Sequence, residues 1–377
     1  MSNKPKIVVF IDWYVPAYKA GGPIRSVYNL IETLYTSYDF YVITSNSDID
    51  CEPLSEIETN KWVKQSKANV IYFTPEEQNI RRYKKEIKKI APSKIYLNSL
   101  FSLRFTLVPL LAFKKSYDIV IAPRGMLGPE SLAIKSTKKK LFLTVSKILK
   151  LYKNVTWHVS TGIEAVEVNK VFGQNESIKT ASNLALVSEE FKLLNKQVGK
   201  LSILMVGRIV PIKNILFFLI ELSKLDKQSL VNVSIVGPKE DQEYYKLCKN
   251  ALKELPEHVI VNFKGSMPSV EVGKQYNQHH LLISTSLNEN YGHSIAEALT
   301  YGRPIIVSNN TPWKNLRELG IGVNLDLEFG SFTKEIQHFI NMGNAEFAEF
   351  QKRAKQYALD KLKSKKEIQD SINLFKN

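Results

Sequence analysis

The chain has 377 residues, 44% of them hydrophobic, and carries a net charge of +15. This length suits two globular domains, and the longest apolar runs are strand-length, far short of the roughly 20 residues that a membrane-spanning helix needs. Residues 1–11 show no secretory signal pattern, and Cys51 and Cys248 lie far apart without metal-ligand spacing. We therefore expect a cytoplasmic protein with reduced cysteines.

Short apolar runs rich in β-branched residues alternate with helical patterns along the chain. The first half contains predicted strands at Lys6–Ile11, Phe40–Thr44, Val70–Phe73, Ile95–Asn98, Asp118–Ala122 and Val155–Val159. The second half contains predicted strands at Leu201–Gly207, Val231–Gly237, Val259–Gly265, Leu281–Ser286 and Pro304–Ser308. Near-continuous apolar strands between helices are typical of parallel sheets covered on both faces, so the predicted fold class is α/β.

The alternation pauses in a polar stretch and then restarts. We therefore predict an N-terminal α/β domain over residues 1–187, a linker over 188–200 and a C-terminal α/β domain over 201–345. Residues 346–377 have a helical pattern and are predicted to pack across the two domains.

The positive charge is concentrated in one segment of the first domain. Between Arg81 and Lys153, 18 Lys or Arg residues stand against three acidic residues, so this segment alone carries +15. Such a distribution predicts an anionic partner. The sequence has no aromatic-interleaved basic strand, zinc spacing or recognition-helix signature, so we predict no nucleic-acid partner.

Two helices are predicted in this basic segment, each with an apolar stripe. The stripes consist of Ile80, Tyr83, Ile87 and Ile90, and of Leu141, Val145, Ile148, Leu149 and Tyr152. Core packing explains the stripes but not the cations beside them, whereas basic amphipathic helices are typical of attachment to anionic lipid. The predicted membrane contacts are Arg81, Arg82, Lys84, Lys85, Lys138, Lys139 and Lys140. We therefore predict peripheral binding to the inner face of the cytoplasmic membrane.

Two cations follow the first strand of the second domain. Gly207 lets the chain turn, and Pro211 or Asn214 is predicted to open a helix. Arg208 and Lys213 lie in this loop, where they would neutralise a diphosphate. The alternative is a solvated loop with ordinary surface charges.

Residues 288–299 are predicted to form a polar loop and a short helix after a buried strand. Backbone amides near Gly292, His293 and Ser294 would present donors to an anion at the helix start. Glu289 precedes the helix, and Glu297 lies about one turn inside it. A molecule with hydroxyls on both sides of a phosphate fits this layout, and a nucleotide sugar is such a molecule.

These motifs resemble the retaining nucleotide-sugar glycosyltransferases of family 4 (group 1). The matching residues are the glutamates eight positions apart, Glu289 and Glu297, and Gly207-Arg208 with Lys213. Less specific matches are Gly21-Gly22-Pro23, Gly237 and Gly265-Ser266. The resemblance implies the GT-B fold: two Rossmann-like domains with parallel sheets facing a central cleft, an acceptor-side first domain, a second domain that binds the nucleotide sugar, and a C-terminal helix that crosses back to the first domain.

The resemblance also implies individual roles. Glu289 would bind the transferred sugar, Arg208 and Lys213 would stabilise the leaving nucleoside diphosphate, and Glu297 would bind the ribose. The implied donor-binding residues are Gly22, Gly237, Ser266, Met267, Asn290, Tyr291, Gly292, His293, Ser294 and Glu297. Electrostatic stabilisation by these groups needs no metal, so no metal or other cofactor is predicted.

One departure from the family concerns the first domain. Many members carry a histidine after its fourth strand, where this chain has Asn98 and Ser99, either of which could supply a hydrogen bond. The predicted acceptor or cleft residues are Gly21, Asn98, Arg124 and His158. A satisfied, partly buried histidine is the alternative for His158.

The predicted function is transfer of a hexose from a nucleotide sugar to a saccharide acceptor. The basic helices favour a lipid-linked acceptor, and hence surface polysaccharide or lipopolysaccharide biosynthesis. The alternatives are a nucleotide-sugar epimerase of the same two-domain fold and a basic nucleic-acid-binding protein.

Several acidic and histidine residues have a plainer interpretation. We expect Asp48 and Asp50 in a solvated loop, and a solvent-facing role for Glu164 and Glu167 on a helix after the sixth strand. His279 and His280 are adjacent, so they would point in different directions, and no metal site is predicted there.

Overall fold

The computed structural model describes residues 4–133, 136–174, 177–362 and 364–376. The chain divides into two compact units, Met1–Leu184 with Lys365–Asn377, and Ala185–Ser364. The predicted C-terminal segment 346–377 is thus divided, because its residues up to Ser364 belong to the second unit and those from Lys365 belong to the first.

The first unit is built on one sheet whose described strands have the order β3-β4-β2-β1-β5-β6-β7-β8. These strands are β1 (Lys6–Phe10), β2 (Asp39–Ser45), β3 (Trp62–Gln65), β4 (Ala68–Phe73), β5 (Lys94–Asn98), β6 (Asp118–Ala122), β7 (Thr156–Val159) and β8 (Ile178–Thr180). All neighbouring pairs are parallel except β3 with β4. The central strands are buried on both faces, as their continuous apolar sequence predicts.

Helices cover both faces of this sheet. They are α1 (Gly22–Leu34), α2 (Ile80–Ile90), α3 (Val108–Phe113), α4 (Pro129–Ala133), α5 (Ser136–Ile148), α6 (Gly162–Phe172) and, after the second unit, α14 (Lys365–Asn373). Polar caps fix two of the starts, since the Asn79 side chain accepts from the Arg82 amide before α2 and the Thr161 side chain accepts from the Glu164 amide before α6.

The C-terminal residues complete the aromatic core of the first unit. The Phe375 ring lies 5.4 Å from Tyr38 and 5.6 Å from Tyr96, both in edge-to-face contact. The Tyr38 hydroxyl also donates to the Ile372 carbonyl at 2.9 Å. The C-terminal segment, including the residues after α14, therefore contributes buried side chains to this core.

The two basic helices differ in what they bury. On α2, Tyr83, Ile87 and Ile90 are in the core, so core packing accounts for that stripe. On α5 and at Leu149 directly after it, most of the predicted stripe faces outward. The exposed members are Leu141 (65%), Val145 (44%), Ile148 (74%) and Leu149 (68%). Core packing therefore does not explain the second stripe, which remains an uncovered apolar surface.

The second unit contains six described strands in the order β11-β10-β9-β12-β13-β14, all parallel. They are β9 (Lys200–Val206), β10 (Leu230–Val236), β11 (Val259–Gly265), β12 (Leu281–Ser284), β13 (Ile305–Ser308) and β14 (Gly322–Leu325). Its helices are α7 (Ile215–Leu222), α8 (Gln242–Ala251), α9 (Ser269–Tyr276), α10 (His293–Thr300), α11 (Leu316–Leu319), α12 (Ser331–Asn341) and α13 (Asn344–Tyr357). The predicted α/β class with two parallel-sheet domains is confirmed.

In the second sheet the strand order reverses between β9 and β12. Strands β10 and β11 follow on one side of β9, whereas β12, β13 and β14 follow on the other. Loops after the two central strands must diverge there, and open α/β sheets bind ligands at this switch point, beyond the carboxyl ends of the strands.

Candidate active site

Two predicted loops meet at the switch point of the second sheet. The segment after β9 contains a single 3₁₀ turn, Pro211–Lys213, and α7 begins at Ile215 after Asn214. The Leu287 amide donates to the Ile212 carbonyl at 2.8 Å, and the Thr285 hydroxyl donates to the Asn214 carbonyl at 3.0 Å. These bonds join the loop after β9 to the loop after β12.

The joined loops bring the predicted cation and carboxylate together. Lys213 Nζ lies 2.5 Å from Glu289 Oε2, and the two side chains are only 21% and 17% exposed. Arg208 does not pair with Glu289. It forms an ion pair with Glu240, a residue that was not predicted. Its NH1 group donates to both carboxylate oxygens of Glu240 at 2.9 Å, with both side chains 40% exposed.

The start of α10 has the predicted geometry. Gly292 is the N-cap at φ 80°, and its carbonyl accepts from the Ile295 and Ala296 amides at 3.0 Å. A Cβ at this position would lie 2.8 Å from Ile295 and 3.2 Å from Glu289, so only glycine fits. The amides of His293 and Ser294 come before these two in the first turn of α10, where backbone donors point beyond the end of the helix.

Aromatic residues hold the rest of this loop. The Trp313 indole donates to the Tyr291 carbonyl at 2.6 Å, and the Tyr291 ring lies 4.9 Å from His293. One turn inside α10, Glu297 Oε2 lies 3.2 Å from the Tyr276 hydroxyl. Asn290, Tyr291, Ser294 and Glu297 are all half-buried. Trp313 and Tyr276 were not predicted, because indole and phenol groups in apolar surroundings look like ordinary core residues in a sequence.

Glycines bring the neighbouring strand ends close together. The Gly237 amide, after β10, donates to the Gly265 carbonyl at 2.9 Å, and a Cβ at Gly237 would lie 1.9 Å from the Gly207 carbonyl oxygen. Gly237 also has φ 153°. Ser266 and Met267 follow β11 at the same edge and are half-buried. The predicted donor-binding residues Gly237, Ser266 and Met267 thus share one sheet edge with the loops already described.

The predicted glycine pair of the first unit begins α1. Gly21 is the N-cap at φ 68°, and Gly22 is the first helical residue. The loop before them is shaped by Asp48, whose Oδ2 accepts from the Tyr18 and Lys19 amides at 2.8 and 3.0 Å. Asp48 is buried, so the expectation of a solvated carboxylate was wrong. Its burial is stabilised by backbone amides about thirty residues away in sequence.

Three predicted acceptor-side residues form one network in the first unit. Arg124 Nε donates to Asn98 Oδ1 at 2.7 Å, and its NH2 group donates to the Tyr96 hydroxyl at 2.5 Å. The Tyr96 hydroxyl lies 2.8 Å from His158 Nδ1, and His158 Nε2 lies 2.9 Å from the Ala181 carbonyl. Because a carbonyl only accepts, Nε2 carries the proton and Nδ1 accepts from the tyrosine. Burial lowers the pKa of His158 to about 3, so the ring is neutral.

Glu164 is a second carboxylate that was wrongly expected to face solvent. It is buried, and its oxygens accept from the Gly125 amide at 2.6 Å, the Ser160 amide at 2.7 Å and the Ser160 hydroxyl at 2.9 Å. His280 packs against Ser202 rather than beside a ligand set. Across the ranges that the structure describes, no group of three or more His, Cys, Asp or Glu could hold a metal ion.

None of the described helices combines the length and the apolar character that crossing a bilayer requires. Of the predicted membrane contacts, Arg82 instead lies near Glu77 and Glu86 and donates to the Asn60 carbonyl. Arg81, Lys84 and Lys85 are exposed on α2, Lys138 and Lys140 are exposed on α5, and Lys139 is partly exposed and donates to the Ser131 carbonyl.

Comparison with known proteins relates part of the second unit to a family model. Residues 187–320 match the model described as "Glycosyl transferases group 1". This range lies within the second unit. The matched range includes the loops with Arg208, Lys213, Glu289 and Glu297. No curated protein matches the chain.

Solved structures share the fold of nearly the whole chain, including the part outside the range matched by the family model. HepE of Anabaena, crystallised with UDP and glucose, is 17% identical with a TM-score of 0.68, covering 94% of each chain. Sucrose-phosphate synthase from Thermosynechococcus elongatus is 14% identical with a TM-score of 0.72, covering 99% of this chain and 98% of its own. WaaG, a glycosyltransferase involved in lipopolysaccharide biosynthesis, is 14% identical with a TM-score of 0.64, covering 97% and 99%.

Proposed function

We propose that this protein transfers a hexose from a nucleotide sugar to a saccharide acceptor with retention of the anomeric configuration. The observation that carries the proposal is the Lys213–Glu289 pair at the switch point, beside the start of α10 and within the matched group 1 domain. A cation, a carboxylate and a helix N-terminus together provide complementary partners for a diphosphate and for sugar hydroxyls.

The proposed chemistry breaks the bond between the anomeric carbon and the diphosphate oxygen. The acceptor hydroxyl oxygen forms the new bond on the same face of the sugar, and its proton goes to the leaving diphosphate. Lys213, Arg208 and the first amides of α10 stabilise the charge that develops on the leaving group, while Glu289 binds the sugar and stabilises its positive charge. Arg208 would exchange its exposed partner Glu240 for the diphosphate. With these cations in place, we propose that the reaction needs no metal.

Donor binding is proposed to extend along the same sheet edge. Glu297 would accept hydrogen bonds from the ribose, and the backbone around Ser266 and Met267 would lie beside the base. HepE was crystallised with UDP and with UDP-glucose, which makes uridine compounds the first donors to test.

We further propose that α5 attaches the protein to an anionic membrane surface, and that the acceptor is lipid-linked. Leu141, Val145, Ile148 and Leu149 present an uncovered apolar stripe flanked by exposed lysines, which complements acyl chains and anionic head groups. Each Lys or Arg near such a surface contributes about 1 kcal/mol to the free energy of membrane binding. Co-sedimentation with vesicles containing anionic lipid tests this, and absence of binding at low salt would contradict it.

The central experiment is a thermal-shift panel of nucleoside diphosphates and nucleotide sugars, followed by product analysis. A ligand at a concentration 100 times its dissociation constant raises the free energy of unfolding by about 2.7 kcal/mol. Transfer to an added saccharide, with the anomeric configuration read by NMR and activity unchanged by a chelator, is the expected result. Conversion of the donor alone to its epimer would instead favour a nucleotide-sugar epimerase. Retention on DNA without any nucleotide-sugar shift would favour a nucleic-acid-binding protein.

A further inference from the structure

The guanidinium of Arg124 is held in one orientation by oxygen atoms that carry no charge. Asn98 Oδ1, Asn183 Oδ1 and the Tyr96 hydroxyl each accept one hydrogen bond from it. Tyr96 and Asn98 belong to β5, Asn183 follows β8, and Arg124 itself follows the end of β6, so the arginine lies at the carboxyl edge of the first sheet. Tyr96 is in turn fixed by the neutral ring of His158. This is a preorganised cation rather than a mobile surface arginine.

The backbone at this edge is strained at two neighbouring positions. Arg124, two residues after β6, has φ 56°, and Ser99, directly after β5, has φ 139°. The Ser99 amide donates to the Ala122 carbonyl at 3.1 Å, which joins the two strained turns. Residues other than glycine rarely adopt such angles, and those that do so concentrate at functional sites.

A buried carboxylate keeps the Arg124 turn in place without pairing with its side chain. Glu164 accepts from the Gly125 amide and from Ser160, and so fixes the residue that follows the arginine. In the part of the chain that the structure describes, Arg124 itself makes no ion pair with any carboxylate. Of the five N–H donors of a guanidinium, three are accounted for by the bonds above, which leaves donors for a ligand.

The buried side chain of Asn98 has an unfavourable free energy, and its hydrogen bond to Arg124 explains why an asparagine is present. Its side chain is buried, and its Nδ2 group has no hydrogen-bond partner among the described residues. An unpaired buried donor is unfavourable. Aspartate would supply the same acceptor to Arg124 without that donor, but it would also neutralise the guanidinium. Asparagine holds the arginine and leaves its positive charge available.

We propose that Arg124 is the centre of an oxyanion subsite on the first unit, and that the acceptor substrate binds there through a phosphate ester. The half-buried, oriented fork of the guanidinium matches two phosphate oxygens. The assignment of this phosphate to the acceptor rests on the proposed glycosyl transfer, whereas the binding of a phosphate ester at Arg124 does not.

Methyl phosphate is a suitable probe for this subsite. It is titrated into the full chain in the presence of excess nucleoside diphosphate. Binding is measured from the broadening of the phosphorus NMR signal of methyl phosphate. We expect saturable broadening in the wild type. The dissociation constant should rise about tenfold or more in Asn98→Asp, which keeps an oxygen toward Arg124 Nε, and in Arg124→Gln. Arg104→Gln removes one exposed cation of the same unit and is the matched control, with no expected change. Trimethyl phosphate replaces the probe as the neutral ligand, and its phosphorus signal should show no broadening.

Thermal midpoints identify which variants are folded. If Arg124→Gln does not fold, the affinity of the folded Asn98→Asp protein decides the test. Wild-type affinity in a folded Asn98→Asp protein, no saturable broadening in the wild type, or an equal loss in Arg104→Gln would each overturn the subsite. Calorimetry with the nucleoside diphosphate alone separates the two hypotheses. If diphosphate binds but methyl phosphate does not, the subsite is refuted and the proposed function stands. If methyl phosphate binds through Arg124 but no diphosphate or nucleotide sugar binds, the proposed function is refuted.

Discussion

Lys213 Nζ and Glu289 Oε2 lie 2.5 Å apart although they are 76 positions apart in the chain. They follow β9 and β12, which are adjacent in the second sheet and lie at its topological switch point. The pairing therefore depends on the strand order. It places a cation and a carboxylate side by side where the sheet already favours ligand binding.

Replacing Glu289 by glutamine is expected to lower kcat about 10²–10³-fold, because the amide cannot stabilise positive charge on the sugar in the transition state. Steady-state kinetics with the donor identified by the thermal-shift panel measures this. Glu243→Gln, in an exposed pair with Lys246, is the control and should leave kcat unchanged. A Glu289→Gln enzyme with kcat within twofold of the wild type would refute the catalytic role.

Gly237→Ala is expected to destabilise the second unit by about 3 kcal/mol or more, since φ is positive and the added Cβ would overlap the Gly207 carbonyl. The urea midpoint of the second unit's transition is the measurement. Gly343→Ala is the matched control, because φ there is −78° and no heavy atom lies within 4 Å of the added Cβ. Its effect should stay below about 1 kcal/mol. Equal midpoints for the two variants would contradict the close approach of the strand ends.

Acidification should destabilise both units through buried histidines. Burial lowers the pKa of His158 to about 3 and that of His280 to about 4, whereas an unfolded histidine titrates near 6.5. Below pH 6.5 the unfolded chain therefore binds protons that the native chain does not, and stability falls as pH falls. From pH 7 to pH 5 we expect a loss of about 2 kcal/mol per histidine.

Urea unfolding between pH 5 and pH 8 checks this dependence, and His158→Gln isolates one contribution. The variant should be less stable at pH 7, but its first-unit transition should lose less on acidification than that of the wild type. Identical pH slopes in the two proteins would mean that His158 is not held neutral.

Ile148→Gln combined with Leu149→Gln should weaken binding to anionic vesicles at least tenfold without lowering the thermal midpoint, because both side chains are mostly exposed. Co-sedimentation measures the partition. Leu247→Gln, an exposed leucine on α8 in the second unit, is the control and should bind as the wild type does. Undiminished vesicle binding by the double variant would exclude α5 as the attachment surface.

The sequence was sufficient for the main strands, because their apolar runs are long enough to indicate burial on both faces. It did not reveal β3, β8 and β14. Strands β3 and β8 have no fully buried position, and β14 has only four residues and begins with a glycine. Such segments acquire strand structure from their neighbours rather than from their own pattern.

At the candidate site, the sequence did not indicate the hydrogen-bond and ion-pair partners of the predicted residues. Asp48 and Glu164 look like surface carboxylates until distant amides are brought to them by the fold. The pairing of Arg208 with Glu240 likewise depends on how two loops 32 positions apart are placed. The exposed stripe of α5 has the same helical periodicity as the buried stripe of α2, so periodicity alone did not distinguish them.

The contact of Phe375 with Tyr38 and Tyr96 sets an order of events during synthesis. Residues up to 184 leave the ribosome early, but the helix that covers this aromatic surface is made only after the entire second unit. At 5–20 residues per second, the delay is roughly ten to forty seconds. Throughout that interval the nascent first half lacks the Phe375 ring that packs on Tyr38 and Tyr96. The first unit as it stands in the structure therefore consists of two separate stretches of chain, and its core is complete only when both have been made.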